Sequence, residues 1–287
     1  MPNTVKAKLL LGWMTEFEAM HFLRNCVFDP PKTDDEMLAL WRLYRDKVSA
    51  IGKRQVPKFK THKLSLAEES TGKTIVNKAR RTNGTNVKRV IKIDPRDLLI
   101  HQLYVITDQS GKYAVHMLDK RKRLNVCLGI GMENKTPIGP AVRDGNWLKK
   151  IVPHGEFVPF AINGKIVMNG PNDFHAQEQA RFISFTQFDE KLLLWAGYHR
   201  SHALVSQTKP EDTERLLVGT LVTDGEAFLG ASSVLPDKRA VVRGDCPPLF
   251  SDFFNPELCI IVDYLEMRCE LHCNPVTGEY RVPMVPI

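Results

Sequence analysis

The chain has 287 residues, of which 43% are hydrophobic and 25% charged, and it carries a net charge of +7. These values exclude a collagenous, coiled-coil or wholly disordered chain, and the length predicts one large domain or two smaller ones. The charge is uneven, because residues 53–92 hold twelve Lys and Arg against two acids and so carry +10, while the other 247 residues sum to −3. The sequence therefore describes a mildly acidic body with one strongly basic segment.

Two helices are predicted in residues 1–52. Residues 15–18 and 33–36 both show the pattern of a capping box, in which a threonine is followed three positions later by a glutamate. After the second box, apolar residues recur every three or four positions until Gly52, which is typical of a helix stop. We expect a helical hairpin with an apolar seam.

The basic segment, residues 53–92, is poor in large apolar residues and shows no clear helical or strand periodicity. An extended or partly disordered arm is therefore expected. Lys and Arg at this density neutralise several phosphates, so nucleic acid or another polyanion is the expected partner. Phe59 is the single aromatic residue of the arm, which gives little support for base stacking. The candidate contact residues are Lys58, Lys60, Lys63, Lys73, Lys78, Arg80, Arg81, Lys88 and Arg89.

From residue 93 to residue 287 the pattern favours runs of strands, and the fold class expected is α+β with a mixed or antiparallel sheet. A short helix is expected at residues 201–206, and turns at 109–111, 169–171 and 274–278. The predicted strands are residues 90–93, 98–107, 113–117, 124–130, 157–162, 182–188, 192–196 and 216–222.

The longest apolar runs are far shorter than the roughly 20 residues that a membrane-spanning helix needs. A cytoplasmic protein without a membrane partner is expected, with six reduced cysteines. Residues 265–273 alternate between apolar and polar like a half-buried strand, which would place Cys269 and Cys273 about 13 Å apart. That spacing disfavours a shared zinc ion.

Two glycine-containing patterns give little support for a phosphate site. Residues 67–74 match a permissive phosphate-loop pattern, but Glu68 and Glu69 would face the phosphates. Residues 129–131 (Gly-Ile-Gly) lack the third glycine of a dinucleotide fingerprint, since Asn134 stands at its position. A solvated basic chain and a simple turn are expected instead.

The histidines of the chain offer an alternative function, a non-heme Fe2+ site. His154 and Glu156 share a face of a predicted strand, and with His199 they form the two-histidine, one-carboxylate set that binds Fe2+ in non-heme oxygenases. Such a site leaves positions for oxygen and a 2-oxo acid.

The most specific pattern is the run Gly197-Tyr198-His199-Arg200-Ser201, which directly follows a predicted buried strand. Glycine at a strand end permits close approach of a ligand, and the amides of a helix capped by Ser201 favour an anion. Gly197, His199, Arg200 and Ser201 are therefore the candidate phosphate-binding residues, and a nucleotide with Mg2+ is the candidate ligand.

The order of strand, Gly-x-His-Arg-x-x-Ala, short helix and further strand resembles the nucleotide-binding segment of the ParB/sulfiredoxin-like superfamily over about residues 180–224. The resemblance implies that Gly197, His199 and Arg200 contact nucleotide phosphates. Tyr198 stands where the sulfiredoxin branch has its catalytic cysteine, so repair of over-oxidised peroxiredoxin is not implied. The ParB partition proteins of this superfamily have a first sequence box that contains an arginine, and this chain has no clear counterpart of it. No helix-turn-helix pattern follows the segment in this sequence.

Three functions remain open at this point. The first is a nucleotide- or phosphate-binding, ParB-like protein whose basic arm contacts nucleic acid. The second is the Fe2+-dependent oxygenase. The third is a non-catalytic interaction protein that binds an acidic partner. Trp13, Phe22 and Trp41 would then lie at an interface, and the basic arm would bind the acidic surface of the partner.

Overall fold

The computed structural model describes residues 3–83, 87–128, 140–152, 157–159, 161–162, 165–174, 176–178, 183–188, 190–208, 217–222, 242–281 and 283–286. Helices and mixed or antiparallel sheets are both well represented, so the α+β class is confirmed. The helices of the described residues are α1 (Glu16–Cys26), α2 (Asp34–Ile51), α3 (Leu66–Asn83), α4 (Thr107–Leu118), α5 (Lys120–Leu128) and α6 (Tyr198–Gln207).

The strands begin before α1 and continue almost to the end of the chain. Their bounds are β1 (Thr4–Leu9), β2 (Val87–Ile93), β3 (Leu99–Ile100), β4 (Tyr104–Ile106), β5 (Val142–Asp144), β6 (Trp147–Val152), β7 (Phe157–Pro159), β8 (Ala161–Ile162), β9 (Lys165–Ile166), β10 (Ala176–Glu178), β11 (Ser184–Phe188), β12 (Lys191–Ala196), β13 (Leu217–Val222), β14 (Ile260–Leu265), β15 (Met267–Cys273), β16 (Tyr280–Arg281) and β17 (Met284–Pro286).

The chain forms two compact units, each assembled from separated stretches of sequence. The larger unit consists of Thr4–Gly131 and Phe182–Tyr264. The smaller unit consists of Met1–Asn3, Met132–Arg181 and Leu265–Ile287. The divisions expected from composition were contiguous, at residues 1–52, 53–92 and 93–287, whereas each unit brings together distant parts of the chain.

The larger unit is built on a five-stranded mixed sheet in the order β2-β13-β11-β12-β3. The pairs β13–β11 and β12–β3 are parallel, and β2–β13 and β11–β12 are antiparallel. A buried cluster of Leu99, Leu193, Val242 and Leu249 joins the far edge of this sheet to a later part of the chain. A second sheet, β14-β1-β4, lies in the same unit.

The predicted helical hairpin is confirmed as α1 and α2. The Thr15 and Thr33 hydroxyls each accept from the backbone three residues on, completing both capping boxes, and Gly52 ends α2 with a φ of 67°. Residues 1–52 also contain β1, which the hairpin prediction left out. Its signal was the alternation of small or apolar residues with Lys6 and Lys8.

The predicted strand at 113–117, the turn at 109–111 and the strand at 124–130 over its described residues 124–128 are wrong, because these residues lie in α4 and α5. Ser110 and Met117 of α4 are buried and Tyr113 and Ala114 between them are half-buried, and these positions have helical spacing. Packing of this face against α6 outweighs the strand propensity of the tyrosine and valine. The predicted strand 98–107 is likewise two short strands, β3 and β4.

The smaller unit has a sheet in the order β16-β15-β6-β5, with β17 also paired to β15. Its core cluster contains Leu148, Phe174, Leu271 and Cys273. The predicted closing turn is confirmed, since the Asn274 and Glu279 backbones are hydrogen-bonded where β15 leads into β16. Among the residues that the structure describes, no cluster of His, Cys, Asp and Glu could hold a metal ion, and no helix has the length and hydropathy to cross a membrane.

Candidate functional site

The expectation of an extended or partly disordered arm is wrong for most of the basic segment, whereas residues 53–65, which precede its first helix, contain no helix or strand. Residues 66–83 form α3 and residues 87–93 form β2, an edge strand of the five-stranded sheet. α3 begins with a third capping box, in which Ser65 and Glu68 exchange hydrogen bonds of 2.7 and 3.3 Å. The pattern Ser-x-x-Glu at 65–68 is visible in the sequence and could have predicted this helix start.

An ion pair and close packing attach α3 to β2. Lys92 Nζ lies 2.9 Å from a carboxylate oxygen of Glu68, with the two side chains 23% and 16% exposed. Burial disfavours the charged form of Glu68, but hydrogen bonds from the Ser65 backbone and from Lys92 outweigh it and lower the pKa of that carboxyl. Gly72 allows the close approach, because a Cβ there would lie 2.8 Å from a methyl of Val90.

Cations on this folded segment face solvent. Lys58, Lys60, Lys63, Lys73 and Arg89 are exposed. Lys58 pairs with Glu190 at 2.6 Å, whereas the other four have no ion-pair partner among the described residues. The side chains of Lys78, Arg80, Arg81 and Lys88 lie outside the described part of the chain. The segment therefore presents an excess of exposed positive charge, with Lys73 on a helix, Arg89 on a strand, and Lys60 within electrostatic reach of Asp97.

The phosphate-loop pattern at residues 67–74 lies within α3. In a helix, backbone amides beyond the first turn are used by intrahelical hydrogen bonds, so they cannot form an inward-facing phosphate cradle. These residues therefore do not form a phosphate loop.

The strand-to-helix turn after β12 is formed by Gly197. This residue is the N-cap of α6, with a φ of 98°, and a Cβ there would lie 2.7 Å from the Ile183 side chain. The helix starts at Tyr198, so the expectation that Ser201 caps it is wrong. Ser201 is the fourth helical residue and is fully buried.

The polar side chains of the first turn of α6 are directed into the protein. The Tyr198 hydroxyl accepts from the amides of His101 and Gln102 at 3.0 and 3.2 Å and donates to the Leu194 carbonyl at 2.8 Å. The Arg200 guanidinium is buried and donates to the Val126 carbonyl at 2.9 Å. His199 is half-buried. These contacts tie β12 and α6 to β3 and α5, and phosphate binding at Gly197, His199, Arg200 and Ser201 stays a prediction.

His202, on the next turn of α6, is a buried neutral histidine. Its ring stacks on Phe254 at 4.9 Å between centroids, and its Nε2 is buried without a hydrogen-bond partner among the described residues. Desolvation, aided by the positive charges of Lys8 and His199, lowers the pKa of His202 to about 3. Lys8 lies over the other ring of the stack, 4.5 Å from the Phe254 centroid.

The metal alternative involves residues that the structure does not describe. His154 and Glu156 lie outside the described residues, and His199 lies on α6. The Fe2+ site with a 2-oxo acid stays a hypothesis. Residues 129–131 also lie outside the described part.

Comparison with protein-family models, with curated proteins and with solved structures found no match. The resemblance to the ParB/sulfiredoxin-like superfamily gains no support from these comparisons and remains a prediction.

Proposed function

We propose that the larger unit binds nucleic acid through the exposed cations of α3, β2 and the segment that precedes them. The observation that supports this most is the exposure of four cations that have no ion-pair partner among the described residues: Lys73 on α3, Arg89 on β2, and Lys60 and Lys63 on the stretch before α3. Phosphate contacts of this kind provide affinity that depends on salt and little on sequence.

The arrangement of acids in the segment favours an anionic partner. Of its two carboxylates, Glu68 is directed to Lys92 and is largely buried, so its charge is neutralised within the fold. Only Glu69 is left exposed. Because the backbone of α3 and β2 is already folded, binding there orders side chains only, which lowers the entropic cost relative to a disordered arm.

The test compares two triple variants with the same net charge. In one, Lys60, Lys63 and Lys73 are changed to Gln. In the other, three exposed cations outside the segment are changed to Gln, namely Lys32, Arg42 and Lys112. Fluorescence anisotropy with a labelled 20-base-pair duplex is recorded across a salt series.

We expect the first variant to bind at least about tenfold more weakly at low salt. Its log–log salt slope should be reduced by up to about three, or roughly 0.9 for each phosphate that is no longer neutralised. The control should stay close to the unsubstituted protein. If both variants lost affinity for the duplex equally, the loss would reflect net charge alone. The proposal that this surface binds nucleic acid would then be contradicted. Absence of binding by the unsubstituted protein would remove the proposal altogether.

A further inference from the structure

A cleft of about 610 Å³ lies in the larger unit, beside the start of α1 and the C-terminal half of α2. Its lining includes Trp13, Met14, Trp41, Arg45, Val48 and Cys246. This volume lies within the range of small-molecule sites in proteins. The exposed cations of α3 do not line this cleft, so a ligand site here does not depend on nucleic-acid binding by the basic segment.

The aromatic walls of the cleft are held in place by hydrogen bonds. Trp13 Nε1 donates to the Cys246 carbonyl at 2.8 Å, and Trp41 Nε1 donates to the Met14 carbonyl at 3.0 Å. The Arg54 guanidinium lies 5.5 Å from the Trp13 ring centroid. Both indoles therefore have a fixed orientation before any ligand arrives, which reduces the cost of binding a flat molecule.

The rim of the cleft carries an excess of positive charge. Lys53 and Asp245 lie 3.8 Å apart and largely balance one another. Arg45 is exposed, and one of its guanidinium nitrogens donates to the Gly12 carbonyl at 3.2 Å. A guanidinium has further N–H donors, and Arg45 has no carboxylate partner among the described residues. It is thus the unmatched charge of the cleft.

A thiol also lines the cleft. Burial raises the pKa of Cys246 above its usual value, although Arg54 partly opposes this. The thiol is therefore neutral near pH 7 and contributes an apolar, polarisable surface. It adds no negative charge that would repel an anion.

We propose that this cleft binds a small aromatic carboxylate, with its ring system against the apolar lining formed by Trp13, Met14, Trp41 and Val48, and its carboxylate on Arg45. The indole walls match a flat apolar body, and a guanidinium matches a carboxylate in both charge and geometry. The apolar depth and the cationic rim together select against neutral and cationic molecules of the same shape.

The test uses 1-naphthaleneacetate as the probe and 1-naphthaleneacetamide as its neutral isostere, with binding measured by isothermal titration calorimetry on the full chain. Arg45→Gln removes the charge, and Arg42→Gln, at an exposed arginine of α2 outside the lining, is the matched control. Ser49→Trp fills the cleft from its exposed rim, and Ala50→Trp, one residue on and outside the lining, is its control. Circular dichroism checks the fold of each variant.

We expect the carboxylate to bind about tenfold or more tightly than the amide, as a charge-assisted hydrogen bond would give. Arg45→Gln should abolish that preference and Ser49→Trp should abolish binding of both molecules, while the two controls behave like the unsubstituted protein. Three results would overturn the proposal: no binding at millimolar probe, equal affinity for carboxylate and amide in the unsubstituted protein, or unchanged binding in folded Ser49→Trp.

Discussion

The ammonium group of Lys92 on β2 lies 2.9 Å from the carboxylate of Glu68 on α3, with both side chains largely withdrawn from water. This pair joins the two elements of the basic segment, together with the packing of Gly72 and Val76 against Val90. The charges of Lys92 and Glu68 neutralise each other within the fold. Of the cations that remain exposed on the segment, Lys73 and Arg89 then have their backbone positions set by α3 and β2.

Glu68→Gln should destabilise the larger unit by about 1–3 kcal/mol, because Lys92 loses its charge partner in a poorly solvated position. Glu69→Gln is the matched control, since Glu69 is exposed and adjacent, and surface changes of this kind usually stay within about 0.5 kcal/mol. Urea denaturation of both variants measures the difference. Equal stabilities would show that the ion pair does not attach α3 to the sheet.

His202 predicts a loss of stability on mild acidification. Its pKa is lowered to about 3 in the folded protein, whereas an unfolded histidine titrates near 6.5. Below about pH 6.5 this histidine is protonated in the unfolded chain and stays neutral in the folded one. The free energy of unfolding therefore falls as the pH drops. The loss from this residue between pH 7 and pH 5 should be about 2 kcal/mol.

Urea denaturation of the unsubstituted protein and His202→Gln at pH 7, 6 and 5 measures this loss. The variant should lose most of the dependence in this window, where carboxylates contribute little. His62→Gln, at an exposed histidine, should retain it. A His202→Gln protein with an unchanged pH profile would contradict the interpretation.

Local signals explain what the sequence predicted well. The boxes at Thr15 and Thr33 fix the starts of α1 and α2 through contacts within four residues, so no tertiary information is needed. The start of α3 carries the same local signal at Ser65 and Glu68, but the attachment of the helix depends on Gly72 and Val76 meeting a strand that follows it in the chain. Its own composition is dominated by polar residues.

The candidate sites also combine features that depend on local sequence with features that depend on distant residues. The turn at Gly197 is a local signal, and the structure places it where the sequence predicted a strand end. The burial of Arg200, by contrast, depends on the Val126 carbonyl, 74 residues earlier. The cleft could not be predicted, because Trp13 is held by the carbonyl of Cys246, 233 residues later.

Gly197→Ala should destabilise the larger unit by well over about 1–2 kcal/mol, the usual cost of a left-handed backbone for a residue with a Cβ. The excess comes from overlap with Ile183 at 2.7 Å. Gly278→Ala is the control, since Gly278 also has a positive φ, of 75°, but a methyl group there would meet nothing within 4 Å. Thermal and urea unfolding of the two variants should differ. Equal effects would mean that Ile183 moves aside and that the close approach at Gly197 is not required.

Tyr198→Phe tests whether the residue after that glycine is structural. Its hydroxyl is buried and joins the His101 and Gln102 amides to the Leu194 carbonyl, so the variant leaves buried backbone groups without partners. We expect a loss of about 2–4 kcal/mol in the free energy of unfolding, whereas Tyr44→Phe, at a half-buried tyrosine on α2, should cost much less. Because the hydroxyl holds β3 against the end of β12, amide hydrogen exchange at residues 99–102 should also accelerate selectively in Tyr198→Phe. Unchanged exchange there, together with unchanged stability, would show that this hydroxyl does not join the two strands.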